Sequence, residues 1–429
     1  MDDIKINPIK KFEGAVSLRG DKSISHRSVM IASIAEGQSR IKNFLRSEDA
    51  LYTIKAFKQL GVAIGLSNDD IIVEGKGLDG LKGPKGDIYL GNSGTSMRLL
   101  SGVLAGQNFK STLTGDESLS RRPMYRIIRP LRQMGAHIKG REDNFPPLVI
   151  EGAKLRAIRY KTEVASAQIK SALIFAALYA DGVTEIEEPI KSRDHTERML
   201  GLFGAKMEID DLRISVNPRP DLKGRSLAIP GDISSAAFFI IGALILKGSE
   251  ILIKDLLFNR TRWGIIEILN QMGAEIKIEN KRFNGCEEIC DINVRSSRLK
   301  GITVDENRIP SVIDELPILM VAACFAEGDT YIKGAGELRI KETDRIASMS
   351  AALESMGADI SVERDNILIK PTARLRGAVM DSRGDHRTAM SLAIAALCAK
   401  GSSRIKKIDC VNTSFPDFFQ ALDAISLKK

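Results

Sequence analysis

The chain has 429 residues, 43% of them hydrophobic and 28% charged, with a net charge of +8. That length exceeds one ordinary hydrophobic core and fits two domains of about 200 residues each. Aromatic residues at 5% are thin for a protein that stacks bases. No apolar run reaches the ~20 residues that span a bilayer, and the N-terminal MDDIKINPIKKFEG lacks the apolar core of a secretion signal. A cytoplasmic protein with no membrane partner and no nucleic-acid partner is expected. Its basic residues cluster no more densely than pairs such as Arg121 and Arg122, a pattern that favours small anions over a polymer.

Cysteine and histidine usage narrows the chemistry. Five scattered cysteines read as reduced thiols; only Cys286 and Cys290 lie close, with no histidine beside them to complete a zinc set. His26, His137, His195 and His386 form no His-x-x-x-His arrangement, and neither a P-loop nor a spaced dinucleotide fingerprint is present. No metal and no cofactor are expected.

Along the chain, one unit recurs six times. Its first helix is rich in small apolar residues and closes on a glycine: SISHRSVMIASIAEG, TSMRLLSGVLAG, SAQIKSALIFAALYADG, SSAAFFIIGALILKG, DELPILMVAACFAEG and RTAMSLAIAALCAKG. These end at Gly37, Gly106, Gly182, Gly248, Gly328 and Gly401. A second helix follows each, closing on a turn and then an extended segment: FKQLGVAI, LRQMGAHI, MLGLFGAKM, ILNQMGAEI, LESMGADI and, without the glycine, FFQALDAI. A glycine past a helix supplies the left-handed cap, and the alternating residues after it fit a half-buried strand. The unit reads as β-α-β-α-β-β. First helices that are apolar nearly all round belong inside a domain. The class is therefore α/β (α+β): two similar domains, each of three such units wrapped around buried helices. The stretches SLRGDKS and AIPGDIS mark the crossings, giving residues 20–230 as one domain and 1–19 with 231–429 as the other.

Helix starts offer unpaired N–H groups and a partial positive charge, and so suit phosphate and carboxylate. GDKSISHR places Lys22, Ser23 and Arg27 on adjoining turns; GNSGTSMR places Gly94 and Arg98. Later starts offer Ser166, Gln168 and Lys170, then Asp314 and Glu315, then Asp385, His386 and Arg387. Second helices add Arg122, Arg193, Lys341, Glu342 and Arg345. Ser, Asp and Asn at such positions also read as simple caps. Cations there oppose the dipole, so Lys22, Arg27, Arg122, Lys341 and Arg345 call for an anion, either a ligand or an internal carboxylate.

The ordered set GDKSISHR, GNSGTSMRLL, TGDESLSRRPM, SAQIKSA, SRDHTERM, IDELPI, KETDR, GDHR and NTSFPDF runs essentially end to end. It resembles the EPSP synthase family, the aromatic-pathway enzymes that join phosphoenolpyruvate to shikimate 3-phosphate and release phosphate. The resemblance implies the enolpyruvyl transferase fold, two domains around buried parallel helices, with the active site in the interdomain cleft. It implies that Lys22, Ser23, Arg27, Ser166, Gln168, Arg193, Asp314 and Lys341 bind shikimate 3-phosphate. Lys22, Gly94, Arg122, Gln168, Arg345 and Arg387 would hold phosphoenolpyruvate. Asp314, Glu342 and Lys22 would carry the proton transfers. It further implies a monomer inhibited by glyphosate, for which Gly94 leaves room.

Two positions depart from many members: Thr413 stands where they have lysine, and Ala167 where they have a second serine, as in a divergent bacterial branch. The related UDP-N-acetylglucosamine enolpyruvyl transferases use a loop cysteine that GDESLSRRP lacks. The histidine motif of RNA 3′-phosphate cyclases is not found. A basic nucleic-acid-binding protein is disfavoured by the few aromatics and the missing basic stripe.

Overall fold

The computed structural model describes residues 3–67 and 70–428. It divides into two compact units. The first comprises residues 20–229 with 284–287; the second comprises the N-terminal segment to Arg19, Pro230–Phe283 and the chain from Glu288 onward. The sequence placed all of 231–429 in one domain, yet the turn at 284–287 clusters with the first unit. There Asn284 donates to the Ala228 carbonyl at 3.1 Å, and Glu287 is buried against His195 at 2.7 Å. Nothing in the local pattern signals so distant a partner.

Among the described residues, twelve longer helices alternate between two kinds. In the first unit they are α1 (Lys22–Ile34), α2 (Glu48–Gln59), α3 (Gly94–Ala105), α4 (Tyr125–Gln133), α5 (Ala167–Ala177) and α6 (His195–Phe203). In the second they are α7 (Ile233–Ile245), α8 (Gly264–Gln271), α9 (Leu316–Cys324), α10 (Arg345–Ser355), α11 (His386–Cys398) and α12 (Phe418–Ile425). The odd-numbered helices are the cores. Every residue of α7 but Ser235 and Ile245 is buried, and every residue of α11 but Cys398.

The even-numbered helices end as their sequences dictate. Gly61, Gly135, Gly204, Gly273 and Gly357 all have φ between +85° and +112°. The next residue's N–H reaches back to the carbonyl five positions earlier, as in Val62 to Phe57 and Ala358 to Leu353, both at 3.0 Å. This closes otherwise orphaned carbonyls of the last turn. Without a glycine, α12 leaves through extended Ser426 straight into Ser426–Lys428, which pairs with Ile9–Phe12.

Three four-stranded sheets of one topology surround the first unit's core. Ile88–Tyr89 runs parallel to Lys110–Thr114, which borders the antiparallel pair Phe145–Glu151 and His137–Arg141. The other two repeat this order, and Ser226–Ala228 supplies the parallel edge beside Glu36–Lys42. In the second unit the N-terminal segment fills two gaps. Ile9–Ser17 is the parallel neighbour of Glu250–Leu257, and Asp3–Ile6 pairs antiparallel with Ser403–Lys406, whose repeat has no hairpin of its own among the described residues.

Close helix contact in the first unit depends on one glycine. A Cβ on Gly102 of α3 would stand 2.1 Å from the Ala172 carbonyl of α5, whereas one on Gly357 meets nothing within 4 Å. Gly357→Ala therefore strains only the backbone and is expected to cost about 1–2 kcal/mol. Gly102→Ala must force two core helices apart and is expected to cost about 3 kcal/mol or more, despite alanine's better helix propensity. Chemical denaturation followed by circular dichroism checks the order of the two effects.

Candidate active site

In the first unit the starts of α1, α3 and α5 are capped from within. Asp21, Ser93 and Ser166 accept from Ile24, Ser96 and Ile169 N–H groups. Their side chains occupy the donors, and the cations stand beside them. Lys22 pairs with Asp49 in the first turn of α2. Arg27, 3% exposed, donates to Thr196 of α6 at 2.7 Å, to Ser171 of α5 at 2.9 Å and to the Ser23 carbonyl at 3.0 Å. It therefore fixes Ser23 relative to α5.

Gln168 accepts from Arg98 at 2.8 Å and donates to Thr95 at 3.1 Å, joining α5 to the start of α3. Arg98 also reaches the Pro123 carbonyl at 3.2 Å, beside Arg122. Arg122 donates to the Asn92 carbonyl at 3.1 Å, to the Asn92 side chain, and to Ser118 at 3.2 Å. A Cβ on Gly94 would lie 2.8 Å from an Arg98 nitrogen and 3.2 Å from an Arg122 nitrogen. Gly94 thus borders the space between two guanidinium groups.

Behind these residues His26 bonds Thr53 at 2.7 Å, and Thr53 bonds Ser96 at 2.7 Å, tying α1, α2 and α3 together. Burial, aided by Lys22 and Arg27, holds the His26 imidazole well below its usual pKa, so it is neutral at pH 7. Arg193 lies half-buried in the loop entering α6.

The second unit gathers its residues around Arg345, which is 1% exposed. Its guanidinium contacts Asp385 at 2.8 Å, Glu342 at 2.5 Å and Asp314 at 3.5 Å. These carboxylates hold its pKa above even the ordinary arginine value against the opposing effect of burial. Arg387 reaches the other oxygen of Asp314 at 4.0 Å. Asp385 also caps α11 through the N–H groups of Arg387 and Thr388 at 2.8 and 3.2 Å. Burial lowers the Lys341 pKa, opposed chiefly by Asp314. Thr413, beside the same helix start, lies 3.3 Å from His386 and donates to the Cys410 carbonyl at 2.7 Å.

Within the first unit, Lys22, Ser23, Arg27, Gly94, Arg122, Ser166 and Gln168 sit on one connected framework. Within the second, Asp314, Lys341, Glu342, Arg345 and Arg387 do. Sequence reasoning passed over Asp49, Asn92, Thr196 and the Arg345-holding role of Asp385. An acid in a first turn reads as a dipole complement, and partners from other repeats carry no local signal. Lys170 departs from its reading as an anion-site residue. It is 1% exposed and paired with Glu188 at 2.8 Å and Glu197 at 2.7 Å. Among the described residues no cluster of His, Cys, Asp and Glu suits a metal ion, and no helix is long and apolar enough to cross a membrane.

Known proteins are similar to this chain over nearly its whole length. The model of the family described as EPSP synthase (3-phosphoshikimate 1-carboxyvinyltransferase) matches residues 6–422. A protein of Thermoanaerobacter sp. strain X514 named 3-phosphoshikimate 1-carboxyvinyltransferase is 49% identical over 423 residues, covering 99% of this chain and 100% of its own. One of the same name from Syntrophomonas wolfei is 50% identical over 425 residues, covering 98% and 99%. The EPSP synthase structure from Acinetobacter baumannii superposes with a TM-score of 0.89 at 44% identity, over 100% of this chain and 99% of that one. The chain belongs to the EPSP synthase family.

Proposed function

We propose that the protein transfers the carboxyvinyl group of phosphoenolpyruvate to the 5-hydroxyl of shikimate 3-phosphate, releasing phosphate, in the synthesis of aromatic amino acids. The observation that carries this reading is the knot in the second unit, where Asp314 lies against the guanidinium groups of Arg345 and Arg387. Two guanidinium groups suit the carboxylate and phosphate of phosphoenolpyruvate, and a carboxylate beside them suits a base. Lys22, Ser23, Arg27, Ser166, Gln168, Arg193, Asp314 and Lys341 bind shikimate 3-phosphate. Lys22, Gly94, Arg122, Gln168, Arg345 and Arg387 bind phosphoenolpyruvate.

The reaction needs an acid and a base. Protonation of the methylene carbon by Glu342, assisted by Lys22, leaves the adjacent carbon open to the 5-hydroxyl, whose proton passes to Asp314. The tetrahedral adduct then loses a methyl proton and its phosphate, restoring the carbon–carbon double bond. Both ligands are anions, so the cations offset the repulsion of bringing them together. The enzyme works as a cytoplasmic monomer without metal or cofactor.

Asp314→Ala is expected to lower kcat by roughly a hundredfold or more in a phosphate-release assay. Glu342 and Asp385 still hold Arg345 in that variant, so its fold is retained. Wild-type turnover on both substrates supports the reading, and none with pure substrates overturns it.

Glyphosate is expected to inhibit in competition with phosphoenolpyruvate, because Gly94 projects no side chain between Arg98 and Arg122. Rates measured at low phosphoenolpyruvate across a glyphosate series check this.

A pH dependence follows from Lys341. Its protonated form binds the anionic substrate, so affinity is present below its folded pKa and lost above it. Since burial lowers that pKa from 10.5, kcat/KM for shikimate 3-phosphate is expected to fall with rising pH before an ordinary lysine would titrate. In Lys341→Arg the alkaline limb is expected to move beyond about pH 12.

A further inference from the structure

We infer that Lys170, Glu188 and Ser192 form a positioning device that fixes the Arg193 loop against α5, and so sets the affinity for shikimate 3-phosphate. This rests on the proposed function. Lys170 lies on α5 between Gln168 and Ser171, the residue that receives Arg27. Its ammonium bonds Glu188 at 2.8 Å and Glu197 at 2.7 Å, and approaches the Ser192 carbonyl at 3.4 Å. Glu188 in turn accepts from the Ser192 hydroxyl and, at 3.4 Å, from its N–H. The loop from Glu188 to Ser192 is folded around a single carboxylate, and Arg193 is the next residue.

Glu197 brings in the third element. It lies in the first turn of α6, next to Thr196, which accepts from Arg27 and bonds Ser171 at 2.7 Å. One ammonium therefore ties together α5 with Ser166 and Gln168, the loop with Arg193, and the start of α6 that steadies Arg27. Its anchors are as buried as it is, the side chains of Glu188 and Glu197 being 1% and 2% exposed.

Stability alone does not account for this knot. Buried ion pairs are often no more stabilising than apolar groups of the same shape, because desolvation offsets the attraction. What charge and hydrogen bonding add is direction. The loop needs it, because a cavity of about 240 Å³ lies along it, lined by Lys191, Asp194, Arg198, Ile209 and Ile214 among others.

The test uses Glu188→Gln, which keeps the shape but removes the charge, and Ser192→Ala, which removes one hydroxyl. The dissociation constant for shikimate 3-phosphate is measured by titration calorimetry, beside kcat, KM for phosphoenolpyruvate and thermal unfolding. Glu188→Gln is expected to weaken shikimate 3-phosphate binding roughly tenfold and Ser192→Ala about threefold, with kcat at saturation and KM for phosphoenolpyruvate within about twofold. Should Glu188→Gln fail to fold, Ser192→Ala decides alone. Lowered melting temperatures with unchanged binding of shikimate 3-phosphate would make the knot a structural element only and overturn the inference. A wild type that neither binds shikimate 3-phosphate nor releases phosphate fails at the functional reading itself, and the inference falls with it.

Discussion

A buried guanidinium must have its N–H groups and charge met by polar partners, and in the second unit carboxylates meet that requirement and arrange the rest. Arg345 is 1% exposed, and leaving such a charge unpaired costs several kcal/mol even after relaxation. Its three carboxylates come from separate places: Asp314 before α9, Glu342 before α10 and Asp385 at the start of α11. Satisfying one side chain therefore sets three helix starts relative to each other. Arg27 acts similarly in the first unit through neutral partners on α5 and α6.

This arrangement changes what a helix start contributes to anion binding. Orphaned N–H groups are available donors in principle. Here Asp21, Ser93, Ser166, Asp344 and Asp385 already accept from them. The capping reading of these segments holds for the backbone donors; in the function proposed above, the neighbouring lysines and arginines provide the charge for the ligands. Lys22 and Arg345 have internal counterions, so in the proposed function an incoming anion competes with Asp49 or with the carboxylates around Arg345. On that proposal, recognition is an exchange within a framework already held in place, which limits the ordering that binding requires.

The parts legible in the sequence are those with a local cause. Five glycines at the ends of even-numbered helices are readable because only glycine takes those positive φ angles freely, and the missing sixth coincides with a helix that runs directly into a strand. The buried helices were equally plain, since an all-round apolar segment has nowhere else to go. Partner choice was not legible. Lys170 and Lys22 both stand near helix starts, yet one is buried between two glutamates and the other remains half-buried beside Asp49. Glu188 and Glu197 lie 18 and 27 residues from Lys170, and no periodicity links them. The turn at 284–287 was misplaced for the same reason: Glu287 meets His195 across 92 residues.

The fourth repeat shows how one unit can serve another's chemistry. Its helix α7 begins with Asp232 and Ser234, which bond the 2%-exposed Arg262 at 3.2 and 2.7 Å. The proposed function assigns these residues no substrate. Instead Ser234 donates to Glu315, also buried, the immediate neighbour of Asp314. With Glu315 drawn toward α7, Asp314 is left to face Arg345 and Arg387. The acids of IDELPI thus divide between support and the site, and what separates them is a hydroxyl and a buried arginine contributed by the preceding repeat. Sixfold repetition supplies the scaffold, and the difference between equivalent positions in it gives the second unit its candidate base.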